Sequence, residues 1–339
     1  MAAMSAERAE SSQLGPTPSA GLMKAIVQDS YGEPEAVLGL QDVAKPVVND
    51  SEVLVRVHAA SVHVGDWMLV TGVPYIARPA YGMPKPKSRV PGTDIAGTVE
   101  AVGKDVTELR PDDEVIGWCA GAFAEYACAA QDHFVLKPAN LTFEQAAAIG
   151  VSASTALQIL RDQGKVKPGQ KVLINGASGG IGTFAVQIAK AFGADVTGVC
   201  STRNVDMVRR IGADHVIDYT RENFTAGVTR YDVILDIVSS QSWPACRRVL
   251  TPGGKYIPVG GPPGRGIRLM LLEPFTRGKL VTFVARVNAG DLNAIREMIE
   301  AGAVTPVIDR TYKLEETADA VRYVAAGHTR GKVVIAIGG

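Results

Sequence analysis

The chain has little cysteine, no long apolar run and no excess of either charge. Its four cysteines are scattered over 339 residues without a C-x-x-C pair, which argues against a disulfide framework and favours reduced thiols in a cytoplasmic protein. Lys and Arg number 35, as do Asp and Glu, so the balanced charge gives no support to nucleic acid or an anionic membrane as the main partner. No apolar stretch is long enough to cross a bilayer. The composition is that of a soluble globular protein.

The N-terminal 22 residues also lack what a targeting signal needs. They have no apolar core like that of a signal peptide, and Arg8 is their only basic residue, too few for a transit peptide. We predict a flexible tail over residues 1–22 and a folded part that begins at Met23. The remaining length exceeds what one core usually fills, so two domains are expected.

Two different periodic patterns divide the folded part. Up to about residue 145, short alternating stretches such as 52–59 and 94–102 are separated by Gly and Pro, which predicts a partly closed β-barrel. Beyond that point strands alternate with helices, which predicts βαβ units and a doubly wound parallel sheet. The fold class is therefore α/β. Residues 75–90 are rich in proline and interrupt the first pattern, and we predict a long surface loop there.

A glycine-rich turn follows the strand predicted at 171–174. A β-branched strand precedes it and a helix follows it, which is the context that a dinucleotide-binding fingerprint requires, although an ordinary strand-to-helix turn is the alternative. Gly179 allows the backbone to approach a pyrophosphate, and Gly182 allows the helix to pack closely on the strand. The helix N-terminus offers N–H groups and partial positive charge to phosphates. We predict cofactor contacts from Ala177, Ser178, Gly179, Gly180 and Ile181.

The residues about 20 positions further on favour NADPH over NADH. An NAD site usually carries a carboxylate there to hold the ribose diol. In this chain the strand that ends at Cys200 is followed by Ser-Thr-Arg-Asn at 201–204. The Ser201 hydroxyl and the Arg203 guanidinium suit a 2′-phosphate. A helix cap at Thr202 followed by a solvated Arg203 is the alternative, and the two are compatible.

Several further stretches resemble the medium-chain dehydrogenase/reductase superfamily, and within it the zinc-independent quinone oxidoreductase group that includes the zeta-crystallins. The similarity covers nearly everything from residue 23 to 339. It implies a GroES-like β-barrel catalytic domain at 23–145, completed by 305–339, and a Rossmann NADPH-binding domain at 146–304. A homodimer is the assembly it implies. The stretches that carry it are residues 91–97, 110–115, 172–182, 212–219 and 330–334.

The resemblance also implies further cofactor contacts. Tyr219 and the segment 201–203 correspond to positions that hold the adenosine 2′-phosphate, and Lys332 lies where some relatives add a phosphate contact. Thr155 matches a residue near the phosphates on the nicotinamide side. Gly260 matches a segment that lines the nicotinamide.

The same resemblance argues against a metal. Zinc-dependent relatives hold catalytic zinc with a Cys and a His at positions that are His63 and Thr93 here, and a Thr hydroxyl is a poor zinc ligand. The four closely spaced cysteines of their structural zinc site are missing. Without a Lewis acid an alkoxide is poorly stabilised. We therefore expect reduction of quinones or activated C=C bonds, in which conjugation spreads the charge.

His63 is the candidate catalytic residue. It stands where zeta-crystallin-like relatives often carry Asn, and an imidazole that titrates near neutral pH could donate a proton or orient a carbonyl. A residue that only shapes its loop through local hydrogen bonds is the alternative. Trp67, Tyr75 and Trp118 are candidates for an aromatic substrate pocket, or for core packing.

The sequence thus predicts a zinc-free, NADPH-dependent oxidoreductase that transfers hydride to quinones or α,β-unsaturated carbonyl compounds. Two alternatives stay open. One is an enoyl-thioester reductase of acyl or polyketide assembly, since Arg78, Lys85 and Lys87 in the predicted loop are compatible with a phosphorylated carrier. The other is a crystallin-like protein that binds NADPH without significant turnover.

Overall fold

The computed structural model describes residues 21–261 and 264–338. The predicted tail lies outside the described residues except for Gly21 and Leu22, and Leu22 already belongs to the first strand. The strands in this part of the chain are β1 (Leu22–Gln28), β2 (Leu38–Ala44), β3 (Glu52–Val62), β4 (Asp94–Val102), β5 (Glu114–Trp118), β6 (Tyr126–Ala130), β7 (Phe134–Leu136), β8 (Lys171–Asn175), β9 (Asp195–Cys200), β10 (His215–Asp218), β11 (Tyr231–Asp236), β12 (Leu250–Pro258), β13 (Ile308–Lys313) and β14 (Lys332–Ala336).

The α-helices of the described residues are between four and twelve residues long. They are α1 (Pro34–Val37), α2 (Val64–Thr71), α3 (Arg78–Tyr81), α4 (Phe143–Ala147), α5 (Gly150–Gln158), α6 (Gly180–Ala191), α7 (Val205–Arg210), α8 (Trp243–Arg248), α9 (Arg265–Leu272), α10 (Ala289–Glu300) and α11 (Thr317–Ala325).

Seven strands form a mixed sheet that curls into the barrel region. Its order is β13-β14-β3-β4-β5-β7, with β6 paired to β3, so strands from both ends of the chain lie side by side. Val53, Val55 and Val57 on β3 point into one apolar core, as the period-2 pattern of a half-buried strand requires. The C-terminal strand β14 pairs antiparallel with β3, with Val334 opposite Ser61.

Five strands form the parallel sheet of the second region, in the order β10-β9-β8-β11-β12. The central strand β8 is buried on both faces, and Val172, Leu173 and Ile174 are each 0% exposed, as in a sheet covered by helices on both sides. The chain runs outward from β8 to β9 and β10, then crosses to β11 on the other side. The reversal beside β8 makes the carboxyl edge there the expected ligand crevice. The predicted α/β class, a barrel plus a doubly wound sheet, is confirmed.

The two regions meet at the glycine turn. The Gly331 N–H, just before β14, donates to the Ser178 carbonyl at 2.8 Å, and Gly331 forms a bridge with Gly179. Gly331 has φ +100°, and a Cβ there would lie 2.2 Å from the Val307 carbonyl oxygen. Only glycine fits this crossing, so the barrel-completing strand is attached directly to the candidate phosphate site.

Some elements differ from the sequence prediction. The predicted loop at 75–90 contains a 3₁₀ turn, Tyr75–Ala77, and the short helix α3. The helix predicted from Ser154 begins at Gly150, because the Val151 N–H donates to the Asp94 carboxylate on β4. A helix start capped by a side chain 57 positions away leaves no local capping signal in the sequence.

Candidate active site

The glycine turn joins β8 to α6 in a conformation that excludes larger residues. Gly176 has φ +92°, and a Cβ on Gly182 would lie 2.1 Å from the Gly176 carbonyl oxygen and 2.8 Å from Ala177. The Gly179 N–H closes the turn by donating to Gly176 at 3.1 Å. Close helix–strand contact at Gly182 is the role that the fingerprint assigns to its last glycine.

The outer side of the turn fits a dinucleotide pyrophosphate. A Cβ on Gly179 would meet only the Gly176 oxygen, at 3.5 Å, so the approach to its backbone is open. Helix α6 starts at Gly180 without a side-chain cap, and its first N–H groups have no partner within the helix. These donors and the helix dipole suit the phosphates of a bound cofactor.

Beyond the ends of β9 and β10 lies a cavity of about 340 Å³, at the place where the sequence predicts the adenosine end of the cofactor, and we call it the adenosine cavity. The structure brings together three residues that the sequence predicted, Ser201, Arg203 and Tyr219, and Tyr219 is 59% exposed. The Arg203 guanidinium donates to the His328 carbonyl at 2.8 Å. The full lining is Ser201, Thr202, Arg203, Tyr219, Thr220 and His328.

The acidic group beside this cavity is already engaged by its neighbours. Asp218 ends β10, and its carboxylate accepts from the Thr202 hydroxyl at 2.6 Å and from the hydroxyl and N–H of Thr220. These hydrogen bonds, the one from Thr202 above all, hold the pKa of Asp218 below its ordinary value. The carboxylate is therefore charged, but its oxygens are directed at threonines rather than into the cavity.

Asn204 connects the two halves of the cofactor groove, although no motif in the sequence pointed to it. It is 3% exposed, and its side-chain amide donates to the Ser178 hydroxyl at 3.0 Å and lies 3.4 Å from the Ser201 hydroxyl. It thereby links the glycine turn to the segment after β9. Its role depends on which residues the fold places beside it, which no motif records.

Lys332 lies at the inner end of the turn, and Thr155 is a buried residue of α5. Lys332 is 2% exposed, its Nζ lies 3.1 Å from the Ser152 hydroxyl, and a Cβ on Gly180 would lie 3.1 Å from its Cδ. The Thr155 hydroxyl donates to the Val151 carbonyl within α5. Burial lowers the pKa of Lys332, and nearby Asp94 and Asp66 oppose that shift. Lys332 therefore lies beneath the glycine turn and is not part of the lining of the adenosine cavity.

Gly260 lies just past β12 at the same carboxyl edge. A Cβ on Gly260 would lie 2.3 Å from the Ile237 carbonyl oxygen, so the chain passes close to the end of β11 there. The neighbouring residues 262 and 263 lie outside the described part of the chain. The position is compatible with a segment that lines the crevice.

His63 is held by three local contacts. It is the N-cap of α2: its Nδ1 accepts from the Gly65 N–H at 3.0 Å, and its own N–H donates to Asp66 at 2.8 Å. Its Nε2 lies 2.8 Å from the Thr93 hydroxyl. Because Nδ1 accepts a hydrogen bond, the neutral ring carries its proton on Nε2 and donates it to Thr93. Burial, followed by the charge of Lys332, lowers the pKa of His63 to about 3.

Two buried carboxyl groups lie behind His63. Asp66 and Asp94 are each 0% exposed. Burial raises the pKa of both above the ordinary range, against the lowering effect of their hydrogen bonds and of Lys332. Asp94 accepts from the Ser61 hydroxyl and the Val151 N–H, while one Asp66 oxygen is buried with no hydrogen-bond partner. This end of the groove is a closed polar cluster at the junction of the two regions.

The three predicted pocket aromatics lie in three different neighbourhoods. Trp67 packs against the barrel core. Trp118 stacks on His133 at 4.5 Å and contacts the core of the parallel-sheet region. Tyr75 is 70% exposed at the surface, where Arg78 stands 4.5 Å from its ring and 4.6 Å from that of Tyr31. These cation–π contacts explain the presence of Arg78 in this segment without a phosphorylated carrier.

Two further observations concern metals and membranes. Over residues 21–261 and 264–338, no three His, Cys, Asp or Glu side chains come close enough to hold a metal ion. No helix in the same described ranges is long and apolar enough to span a bilayer.

Comparison with known proteins agrees with this architecture. Residues 49–139 match the alcohol dehydrogenase GroES-like domain family, and residues 211–335 match the family described as zinc-binding dehydrogenase. The quinone oxidoreductase of Sus scrofa is 34% identical, over 91% of this chain and 95% of its own length. The chloroplastic quinone oxidoreductase QR1 of Triphysaria versicolor is 31% identical, over 93% and 98%. The structure of the quinone oxidoreductase from Coxiella burnetii has a TM-score of 0.85 and 30% identity, and covers 94% of this chain and 100% of that one.

A GroES-like barrel joined to a Rossmann-like parallel sheet, with a fingerprint turn at their junction, defines a two-part dinucleotide-binding oxidoreductase. The chain belongs to the medium-chain dehydrogenase/reductase superfamily, in its quinone oxidoreductase-like group. The resemblance found in the sequence is thereby confirmed. Oxidoreductases of this family use a nicotinamide cofactor.

Proposed function

We propose that this protein is a zinc-independent, NADPH-dependent oxidoreductase that transfers hydride to quinones or α,β-unsaturated carbonyl compounds. The observation that carries the cofactor choice is the adenosine cavity, in which Arg203, Ser201 and Tyr219 converge. The adjoining carboxylate, Asp218, is bonded to Thr202 and Thr220. A ribose 2′-phosphate would meet hydrogen-bond donors there, whereas a free diol would lack its usual carboxylate acceptor.

The pair His63–Thr93 supports metal-free chemistry. These residues stand where zinc-dependent relatives carry zinc ligands, and here they satisfy each other through a 2.8 Å hydrogen bond. A threonine hydroxyl is not among the ligands that zinc sites use. The donor set at this position therefore fits hydrogen bonding better than metal coordination.

We infer a positioning role for His63, in line with the alternative that its hydrogen bonds shape the loop. Its Nδ1 is used by Gly65 and its Nε2 proton by Thr93, so the Thr93 hydroxyl proton is left to point elsewhere. With a pKa of about 3, His63 is neutral at physiological pH and is not an imidazolium acid. Thr93 is partly exposed, and we assign its hydroxyl as the hydrogen-bond donor to the carbonyl oxygen of the quinone or enone that accepts the hydride.

Three parts of the protein have separate roles in this proposal. The α6 N-terminus binds phosphate, Arg203 and its neighbours bind the adenosine end, and Thr93 stabilises negative charge on the acceptor. A bound NADPH would supply the hydride. Conjugation in a quinone or enone delocalises the resulting charge, and water supplies the proton.

A steady-state screen after exhaustive chelation tests this function. We expect NADPH oxidation with quinones, enones or enals, and no oxidation of aliphatic alcohols with NADP⁺. Turnover of alcohols that depends on added zinc, with no turnover of conjugated acceptors, would contradict the proposal. Crotonyl-type thioesters in the same screen test the alternative of an enoyl-thioester reductase. An NADPH-binding assay without an acceptor tests the alternative of a protein that binds NADPH without significant turnover.

We further propose a homodimer formed through the apolar surface of α9 and the segment after it. Leu271, Phe275 and Val284 are 70%, 81% and 85% exposed, which is unusual for large apolar side chains so close in sequence. Leu280 bridges β12 at the edge of the parallel sheet. Analytical ultracentrifugation tests this proposal: we expect wild type to sediment as a dimer and Phe275→Glu as a monomer. Sedimentation of wild type as a monomer would contradict it.

A cytoplasmic location is also proposed. All four cysteines lie in the described part of the chain and none forms a disulfide. Unpaired thiols fit a reducing compartment.

A further inference from the structure

The adenosine cavity is built from both regions of the molecule. Ser201, Arg203 and Tyr219 follow β9 and β10 of the parallel sheet. His328, in contrast, lies between α11 and β14, in the segment that completes the barrel sheet. A ligand that fills this cavity therefore touches both regions at once.

The segment around His328 contacts the parallel-sheet region through a backbone hydrogen bond at Gly331 and through a side-chain hydrogen bond at His328. At Gly331 it is fixed by a backbone hydrogen bond to Ser178 and by the bridge to Gly179. At His328 the contact with the parallel-sheet region is the Arg203 guanidinium on the backbone carbonyl. Both side chains are exposed, so this contact joins two residues with freedom to move.

The chemistry of the lining selects a phosphate monoester. None of the six side chains that line the cavity is acidic. Arg203 has five N–H donors, one of which is directed to the His328 carbonyl. The hydroxyls of Ser201 and Tyr219 and the imidazole of His328 belong to residues of the same lining and can act as further donors. A phosphate on the ribose 2′ position carries a dianionic charge and three acceptor oxygens, which such donors suit.

We propose that His328 is a specificity-determining residue for NADPH and that the 2′-phosphate fastens the 326–331 segment to the edge of β9. This rests on the proposed NADPH preference and extends it to the barrel-completing segment. NADPH then joins the two regions at the adenosine end, whereas NADH, which lacks the phosphate, leaves that end held by Arg203 alone.

The test uses 2′,5′-ADP and 5′-AMP, which differ only in the 2′-phosphate and contain no nicotinamide. In the full-length protein, calorimetry is expected to show tighter binding of 2′,5′-ADP by about 100-fold, as for a charge-assisted phosphate contact. Hydrogen exchange is expected to show protection of residues 326–331 by 2′,5′-ADP and not by 5′-AMP. Equal protection by both would overturn the fastening.

Variants separate this inference from the proposed function. His328→Ala is expected to weaken the binding of 2′,5′-ADP about tenfold and to leave the binding of 5′-AMP unchanged. Unchanged binding of 5′-AMP also shows that the variant is folded. His215→Ala, which removes an exposed histidine outside the cavity, is expected to change neither. If Arg203→Ala removes the preference for 2′,5′-ADP and His328→Ala does not, the role of His328 is wrong and the NADPH proposal stands. If wild type shows no preference, the NADPH proposal itself falls.

Discussion

The two ends of the cofactor groove differ in how their polar groups are used. At the adenosine end, Arg203, Tyr219 and His328 are exposed around an open cavity. At the other end, Asp66 and Asp94 are 0% exposed and are surrounded by the polar groups of their own cluster. We infer that the donors of the adenosine end are available to a reversibly bound cofactor. The donors of the buried end form hydrogen bonds within the protein at the junction of the two regions.

This difference tells which substitutions will change ligand preference and which will change the fold or the chemistry. An exposed side chain on an open cavity can be removed at little cost to folding. A buried group in a hydrogen-bonded cluster cannot, because its partners are left unsatisfied. The glycine turn lies between the two ends and serves both, so its disruption is expected to have the largest effect.

Replacing Gly182 by Ala should disable the turn. The new Cβ would lie 2.1 Å from the Gly176 carbonyl oxygen, and the neighbours are backbone atoms that cannot move aside. We expect a loss of about 2–3 kcal/mol in unfolding free energy together with loss of NADPH binding. Chemical denaturation and fluorescence titration measure the two effects.

Gly253→Ala is the matched control, because a Cβ there has nothing within 4 Å. It should change stability by no more than about 0.5 kcal/mol. Wild-type stability and NADPH affinity in Gly182→Ala would show that the turn is not as tight as described.

Replacing Arg203 by Ala should weaken NADPH binding about 10- to 100-fold and leave NADH binding nearly unchanged, because Arg203 lines the cavity in which we propose the 2′-phosphate to bind. Dissociation constants for both cofactors measure the ratio. Arg209→Ala removes another exposed guanidinium, which lies 4.0 Å from the Asp206 carboxylate, and should leave the ratio of the two dissociation constants unchanged. Equal losses for NADPH and NADH in Arg203→Ala would remove this residue from the phosphate site.

Replacing Thr93 by Val should lower kcat with a quinone about tenfold while the NADPH dissociation constant stays the same, because one hydrogen bond to the acceptor is lost. Thr98→Val is a close control. Thr98 on β4 also bonds a histidine Nε2, that of His58 on β3 at 3.0 Å, and Thr93 and His63 directly adjoin the same two strands. If both variants lose the same activity, the effect comes from the strands and not from Thr93.

The smallest expected effect is a change in acid stability. Burial lowers the pKa of His63 to about 3, so the fold favours the neutral ring. The stability that this contributes is complete above the ordinary pKa of 6.5 and is lost as the pH falls from there toward 3. Asp66 and Asp94 have raised pKa values and act in the opposite direction, so wild type must be compared with a variant that keeps them.

His63→Asn keeps a residue type that caps helices well. As the pH falls from 6.5 toward 3, the melting temperature of wild type should decrease faster than that of His63→Asn. His215→Asn, at an exposed histidine, should follow wild type. Parallel curves for wild type and His63→Asn would mean that His63 is not protected from protonation.

The sequence predicted the parts of the site that depend on local backbone. The turn from Gly176 to Gly182 and the missing acid after Cys200 are set by neighbours in the chain, and the structure brings Ser201, Arg203 and Tyr219 together as expected. The contributions of Asn204 and His328 could not be predicted in that way, since each depends on a contact between distant segments. The start of α5 at Gly150 was missed for the same reason, because its cap is Asp94.

The preference between the two cofactors tests the central claim most directly. With one quinone at a fixed concentration and chelated wild-type enzyme, kcat/KM for NADPH is expected to exceed that for NADH by at least about tenfold, since the adenosine cavity offers Arg203 to a 2′-phosphate and has its carboxylate tied to threonines. A ratio near one, or a preference for NADH, would contradict the assignment of that cavity.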